Sequence, residues 1–259
     1  MAAKLNNPIA VIERTMVGGA QVARLDLKQT AHLIVNLARG ADSRRRPYYL
    51  TSVNGEVLAR RRLDAAFARL IDDADLISAD GEPLIVASRI LARNGLPERV
   101  ATTDLYPVLA AMAEKAGLSF YLLGATEEIN SAAYGATRRM FPRLNIRGRS
   151  HGFLKGEALD AKLAEINALA PDILWLALGV PLEQEFVARY SARLPNVKVI
   201  KTSGGLFDFI AGAKSRAPRW LQKAGFEWAF RLFLEPRRLA IRYLTTNPIA
   251  LMILLTQTK

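Results

Sequence analysis

The chain has 259 residues, of which 51% are hydrophobic, and its formal net charge is +12. It contains no cysteine, which excludes disulfides and thiolate metal sites and fits a reducing cytoplasm, and its two histidines make a histidine-rich metal site implausible. No run reaches the roughly eighteen apolar residues of a membrane span, and the N-terminus lacks the apolar core of a secretory signal. The positive balance points to an anionic partner: nucleic acid, anionic lipid or a phosphate-rich substrate.

Strands and helices are predicted to alternate from residue 48 to residue 211. The predicted strands are two short runs within 8–27, then 48–53, 75–79, 119–124, 145–149, 172–179 and 197–202. The predicted helices are 27–39, 56–73, one ending at 90, 105–116, one ending near 140, 158–169 and one ending near 194. This rhythm predicts an α/β, Rossmann-like fold with a mostly parallel sheet and helices on both faces. Ligands of such sheets bind beyond the carboxyl ends of the strands.

The alternation stops near Gly212, so we predict an α/β domain at 1–212 and a basic helical appendage at 213–259. From Lys214 to Tyr243 the chain carries eight basic and two acidic residues, interleaved with Trp220, Trp228 and other aromatic residues. Helices are predicted from Pro218 to Gly225, over 226–235 and from Pro236, with a break at Asn247-Pro248. The apolar segment 249–255 is too short to span a bilayer. It either lies in a membrane interface or packs on the body of the protein.

Three interpretations of this appendage remain open from its composition. Cations interleaved with amphipathic rings suit a membrane surface, where they meet lipid phosphates. The same mixture suits single-stranded nucleic acid, because bases stack on aromatic rings. It also suits a solvated helical face whose aromatic residues pack on the body.

Asp80 is the strongest candidate for a catalytic group. It follows a predicted strand, where a carboxylate would face a bound ligand and take a proton from an acceptor hydroxyl. The alternative is that the Asp-Gly pair makes a turn and that Asp80 caps the next helix. The glycines at the strand ends allow a backbone to approach a nucleotide, although none forms a complete phosphate-binding motif.

Several motifs together resemble the bacterial WecG/TagA/CpsF glycosyltransferases, over nearly all of the chain from Tyr48 to Tyr243. They are SVN at 52–54, ADG at 79–81, Arg99 in LPERV, Gly152-Phe153, PLEQE at 181–185, GGLFD at 204–208, and the arginines of RAP, EWAFR and EPRR. Three positions depart from the family's usual pattern. Ser52 replaces threonine, Thr102-Thr103 replace a Gly-Ser pair, and one extra residue separates Pro181 from Gln184.

The resemblance implies an inverting glycosyltransferase that moves a hexose or N-acetylhexosamine from a UDP-sugar to a sugar on polyprenyl diphosphate. Asp80 would be the base. Donor contacts would come from Ser52, Asn54, Arg99, Gly152, Phe153, Gln184, Glu185, Gly204, Gly205 and Asp208. Arg216, Arg231, Arg237 and Arg238 would bind the lipid-linked diphosphate or nearby headgroups, which implies a cytoplasmic protein, peripheral on the inner face of the cytoplasmic membrane.

No metal and no cofactor are expected, because the chain has no D-x-D triplet and arginines would offset the charge of the leaving diphosphate. The pathway implied is exopolysaccharide, enterobacterial-antigen-like glycan or teichoic-acid linkage synthesis. Nucleic acid is not an expected partner, and a homo-oligomer is compatible with the chain. Two alternatives stand beside this reading: another nucleotide-dependent enzyme that oligomerises through a basic tail, and a nucleic-acid-binding protein, for which steep salt dependence is expected.

Overall fold

A six-stranded parallel sheet forms the centre of the structure, a computed structural model that describes residues 8–40, 44–218, 220–221, 227–234 and 236–259. A separate two-stranded antiparallel hairpin precedes the sheet. The hairpin strands are β1 Arg14–Val17 and β2 Ala20–Ala23, and the sheet strands are β3 Tyr48–Val53, β4 Leu76–Ala79, β5 Ser119–Gly124, β6 Asn145–Ser150, β7 Ile173–Ala177 and β8 Val199–Thr202.

The described helices fill the connections between these strands and form the C-terminal part. They are α1 Leu27–Arg39, α2 Gly55–Leu63, α3 Ala65–Asp72, α4 Glu82–Leu91, α5 Thr102–Ala116, α6 Glu127–Met140, α7 Gly156–Leu169, α8 Leu182–Tyr190, α9 Leu206–Ile210, α10 Glu227–Leu234 and α11 Pro236–Thr256, with a 3-10 turn at Ser191–Arg193. The predicted α/β fold with a parallel sheet is therefore confirmed.

The sheet has the strand order β4-β3-β8-β7-β5-β6, and every neighbouring pair is parallel. Its central strands are almost wholly buried because both faces are covered, as expected for a parallel sheet. One apolar core packs α1, α5, α6 and α9 on the first face, around Trp175, Phe120 and Tyr106. The other packs the hairpin, α2, α3, α4, α7, α8 and the end of α11 on the second face.

At the carboxyl edge of the sheet, several pairs of neighbouring strands are followed by helices on opposite faces. β3 is followed by α2 on the second face, whereas the adjacent β8 is followed by α9 on the first face. The same divergence separates β5, followed by α6, from β7, followed by α8. Such switch points open crevices in which α/β proteins bind their ligands. Two of these positions, the crevices β3/β8 and β5/β7, carry predicted site residues.

Two of the predicted helix boundaries are wrong. The segment 56–73 forms two helices rather than one, because Asp64 ends α2 and its carboxylate caps α3 by accepting from the backbone N–H groups of Ala66 and Phe67. The helix expected from residue 105 begins at Thr102, so that its first turn includes the Thr-Thr-Asp segment. That second shift matters for the site, since it places a helix N-terminus beside Asp80.

The C-terminal helix α11 docks on the body of the protein. It continues through Pro248, where a break was predicted, and it packs against α2 through buried Ala250, Ile253 and Leu254. Beyond it, Gln257 O accepts from Gly19 N at 2.9 Å and Lys259 N donates to Met16 O at 3.0 Å. This anchoring holds the helix despite the N–H that Pro248 lacks. The segment 249–255 therefore packs on the body.

The appendage itself is described only in part. Within the described residues, α10 reproduces the predicted helix at 226–235 closely, and no helix combines the length and the apolar content that a bilayer crossing requires. The predicted helix between Pro218 and Gly225 falls mostly outside the described residues. The division at residue 212 stays a prediction.

Candidate functional site

Asp80 lies at the carboxyl edge of the sheet, directly after β4. Its backbone N–H donates to Val53 O at 2.8 Å, which ties the end of β4 to the end of β3. Helix α4 begins after Gly81 and has no side-chain cap, so the interpretation of Asp80 as the cap of that helix is wrong. Its Oδ2 instead accepts from Thr102 N at 3.4 Å, in the first turn of α5. The N-terminus of α5 therefore lies beside the candidate base.

Asn54 lies beside Asp80, as the strand order requires. A Cβ added at Gly81 would lie 3.7 Å from Asn54 Cβ, so the two strand ends are in close contact. Asn54 Oδ1 caps α2 by accepting from Val57 N at 3.0 Å. The Asn54 side chain is therefore fixed by the fold at the edge where the candidate base lies.

Two arginines converge on Asp104 in the first turn of α5. Arg216 reaches it from the appendage with two bonds, Nη1 to Oδ1 at 2.5 Å and Nη2 to Oδ2 at 3.2 Å, and Arg99 Nη2 lies 3.4 Å from Oδ2. Both guanidinium groups are largely buried. The structure thus brings Arg99 and Arg216 together next to Asp80, through an aspartate that was not predicted as a site residue. We refer to these three residues as the Asp104 clasp.

Arg216→Gln is expected to loosen the start of the appendage. The bidentate, charge-assisted pair links that segment to α5, and its loss should raise the population of molecules in which the segment is detached from α5 about tenfold. Chymotrypsin, which cuts after aromatic residues such as Trp220, should then cleave about tenfold faster, because cleavage tracks the open population. Arg193→Gln breaks an exposed pair with Asp160 on another surface and is the control. Equal cleavage of wild type and Arg216→Gln would contradict the role of the clasp.

Lys201, a residue that the sequence did not single out, lies buried at the floor of the β3/β8 crevice. Its side chain is about 1% exposed, and Nζ donates to Ser52 Oγ at 3.0 Å and to Thr202 O at 2.8 Å. Burial lowers the pKa of Lys201 to about 8, although the carboxylates of Glu183 and Asp80 act in the opposite direction. The signal in the sequence was a lysine at the end of an apolar strand, VKVIKTS, where a charge is unexpected.

Glu183 is the matching buried carboxylate on the other side of the crevice. Its Oε2 accepts from Gly204 N at 2.9 Å, which fixes the turn after β8. Burial raises the pKa of Glu183 to about 7, while backbone donors at Gly204 and Ser203 and the charge of Lys201 lower it. Both groups are almost fully enclosed, so their charges act on one another through the protein interior with little screening by water.

The PLEQE segment contributes Glu183 to the crevice. This residue was not among the predicted contacts. Gln184 is also buried, its Nε2 donates to Glu183 Oε1 at 3.4 Å, and its own Oε1 has no hydrogen-bond partner among the described residues. Glu185 is exposed on the outer side of α8. The extra residue after Pro181 therefore leaves Glu183, two positions after the proline, at the crevice. The roles assigned to Gln184 and Glu185 stay predictions.

The GGLFD turn closes the β8 side of this crevice. Gly204 has a positive φ of 55° and presents its N–H to Glu183. Asp208 lies in α9, with Oδ2 about 3.2 Å from a Cβ that would be added at Gly205 and 3.5 Å from Lys214 Nζ. The turn is thus held between α8 and the start of the appendage.

Gly152 and Phe153 lie at the second crevice, β5/β7, rather than beside Asp80. Gly152 N donates to Ala125 O at 2.9 Å, and Gly124 passes so close to Ala177 that an added Cβ would lie 2.2 Å from its carbonyl oxygen. Phe153 is 68% exposed, and its ring stacks with that of His151 at 6.5 Å between centroids. An exposed ring at a crevice suits stacking with a planar base, and that role stays a prediction.

The remaining predicted contacts concern side chains that lie outside the described part of the structure: Arg231, Arg237 and Arg238. Within the described residues, no three His, Asp or Glu side chains are grouped as ligands for a metal ion. What the described residues bring together at the β3/β8 crevice is one partly exposed carboxylate, two arginines, a buried lysine and a buried glutamate. This arrangement suits the removal of a proton beside a bound anion.

Comparisons with known proteins agree with this chemistry. A sequence model of the glycosyl transferase WecG/TagA/CpsF family matches residues 15–259. An N-acetylglucosaminyldiphosphoundecaprenol N-acetyl-beta-D-mannosaminyltransferase of Bacillus subtilis is 30% identical over 73% of this chain and 72% of its own length. Proteins with the same name from Bacillus spizizenii and Staphylococcus aureus MRSA252 are each 27% identical, over 73% and 74% of this chain and 72% and 74% of their own lengths.

Proposed function

This chain belongs to the WecG/TagA/CpsF family of glycosyltransferases, and we propose that it moves an N-acetylhexosamine from a UDP-sugar to a sugar carried on polyprenyl diphosphate. The relatives' printed name describes transfer of N-acetylmannosamine to N-acetylglucosaminyl diphosphoundecaprenol. The observation that carries the proposal is Asp80, a partly exposed carboxylate at the β3/β8 crevice with a helix N-terminus beside it.

In the proposed reaction Asp80 takes the proton from the acceptor hydroxyl. The freed oxygen forms a bond to the anomeric carbon from the side opposite the diphosphate, and the bond from that carbon to the diphosphate oxygen breaks. UDP departs with the bonding electrons, and the configuration of the sugar inverts. Asn54 and Ser52 would contact the donor at the floor of the crevice, while Arg99 and Arg216 offset the charge that develops on the leaving diphosphate.

The arginines of α10 and α11 would bind the phosphates of the acceptor or of neighbouring lipids, so that the enzyme works as a peripheral protein on the inner face of the cytoplasmic membrane. The net charge of +12 supports attraction to an anionic surface. Phe153 would stack on the uracil of the donor from the second crevice, with Gly152 providing the close backbone approach.

The decisive assay is a screen of UDP-sugars against N-acetylglucosamine on a short polyprenyl diphosphate, followed by mass spectrometry of the lipid product. We expect one added N-acetylhexosamine, with inverted configuration, and a rate changed less than twofold by EDTA, since arginines rather than a metal ion balance the diphosphate. Transfer that stops with EDTA and returns with magnesium would contradict the metal-independent step. If no UDP-sugar supports transfer, the proposed function is wrong.

A further inference from the structure

An apolar groove runs along the outer side of the molecule between α4 and α11. It is open to solvent, and its volume is about 350 Å3, at the lower end of the usual size of ligand sites. Large apolar side chains form both walls: Pro83, Val86, Ile90 and Leu91 from α4, and Leu251 and Leu255 from α11. Ile90 is 74% exposed and Leu255 is 60% exposed. A solvent-facing helix normally presents polar side chains there, so this surface requires an explanation.

Both walls of the groove start at the candidate site. Helix α4 begins directly after Asp80 and Gly81, and the groove is lined from its first residue, Glu82, onward. On the other side, Ala250 of α11 packs on Gly55, where an added Cβ would lie 3.3 Å from Ala250 Cβ. Gly55 follows Asn54 in the chain. The end of the groove nearest the candidate site therefore lies between the two strand ends that carry Asn54 and Asp80.

The chemistry of the groove selects an apolar occupant. Among the described residues that line it, Glu82 is the only charged one, and it lies at the end next to the candidate site. The apolar trough therefore begins directly beside the candidate base. An acceptor whose sugar lies over Asp80 would place its hydrocarbon chain in this trough.

We propose that this groove holds the part of the polyprenyl chain that follows the diphosphate of the acceptor, and so orients the acceptor sugar over Asp80. The inference rests on the proposed function and names the residues that would recognise the lipid part of its acceptor. The hydrocarbon chain lies along α4 and α11, and the diphosphate lies between this chain and the acceptor sugar, at the end of the groove next to Asp80. Contact with the apolar walls removes both the groove and the first isoprene units from water, which favours acceptors with a longer chain.

The test compares two acceptors with the same diphosphate-linked sugar, one with a methyl group in place of the prenyl chain and one with a long polyprenyl chain, both in detergent. Ile90→Ser and Leu255→Ser remove one apolar side chain from each wall, and Leu63→Ser removes a similarly exposed apolar side chain at the end of α2 as the control. For wild type and the control we expect a lower KM for the long-chain acceptor. Each groove variant should raise that KM about tenfold and leave kcat and the KM for the methyl acceptor unchanged. Unchanged thermal denaturation midpoints confirm that the variants fold.

Four results would overturn the assignment. If the groove variants keep the wild-type preference for the long chain, the groove does not hold that chain, while transfer by wild type still supports the proposed function. If they lose binding to anionic vesicles that contain no acceptor but keep the preference in detergent, the occupant is the bilayer. If light scattering shows that they dissociate an oligomer, the groove is an interface between copies. Absence of transfer by wild type to either acceptor would overturn the proposed function together with this assignment.

Discussion

Asp80→Asn is expected to lower kcat by about 10²–10⁴-fold while the protein stays folded, because an amide cannot take the proton of the acceptor hydroxyl. Asparagine has the same shape, and its Oδ1 can still accept a bond from Thr102 N, so the first turn of α5 keeps its partner. The measurement is steady-state transfer from the UDP-sugar found in the screen. KM for the donor should change little, since Asp80 acts on the acceptor.

The control for this substitution is Asp160→Asn, which makes the same chemical change at an exposed residue of α7 that pairs with Arg193. It should transfer sugar at the wild-type rate. Near-normal turnover by Asp80→Asn, with an unchanged denaturation midpoint, would show that another group is the base. That result would not affect the assignment of the family or of the fold.

Lys201→Met is expected to destabilise the protein by about 3 kcal/mol, because it leaves the buried carboxylate of Glu183 without its opposite charge. Adding Glu183→Gln should recover more than half of that loss, since the amide oxygen can still accept from Gly204 N and no buried charge remains. Urea denaturation of both single variants and the double variant measures the coupling between the two residues. Lys115→Met, at an exposed position of α5, is the control and should change stability by less than about 0.5 kcal/mol.

The stability that Lys201→Met loses is expected to depend on pH. The pKa of Glu183 in the folded protein, about 7, lies above its ordinary value of 4.5, so the folded state gains from protonation of this group. That contribution is fully present below pH 4.5 and is lost as the pH rises through 7. Without Lys201 the carboxylate becomes costlier to ionise. The difference between Lys201→Met and wild type should therefore be smaller at pH 5 than at pH 7.5, and a difference that is equal at both values would contradict the electrostatic explanation.

The fold could be predicted because it follows from local patterns. Apolar runs of five or six residues, separated by helical spacing, are enough to indicate a parallel sheet covered on both faces. The helix break at Asp64 and the passage of α11 through Pro248 were missed because neither depends on local preference alone. Asp64 gains a cap for α3, and α11 gains the packing of Ala250 and Ile253 on the body.

The site was predicted less completely than the fold. Motifs located Asp80, Asn54, Arg99 and Arg216, because strand ends in a parallel sheet meet at one edge and the resemblance supplied their order. The buried pair of Glu183 and Lys201 was missed, since the two residues lie on different elements and only the three-dimensional structure shows that both are enclosed. The Asp104 clasp was missed for the same reason: it joins residues 112 positions apart.

The docking of the last residues on the hairpin affects how deletion experiments must be designed. A protein truncated at residue 213 would lose the arginines of the appendage. It would also expose Val17, Leu58 and the other apolar side chains that Ile253 and Leu254 now cover. Such a truncation is expected to aggregate, and its failure to sediment with vesicles or to turn over substrate would say little about either property. Charge-neutralising substitutions on α10 and on the first turns of α11 separate the two effects, and a purification tag belongs at the N-terminus.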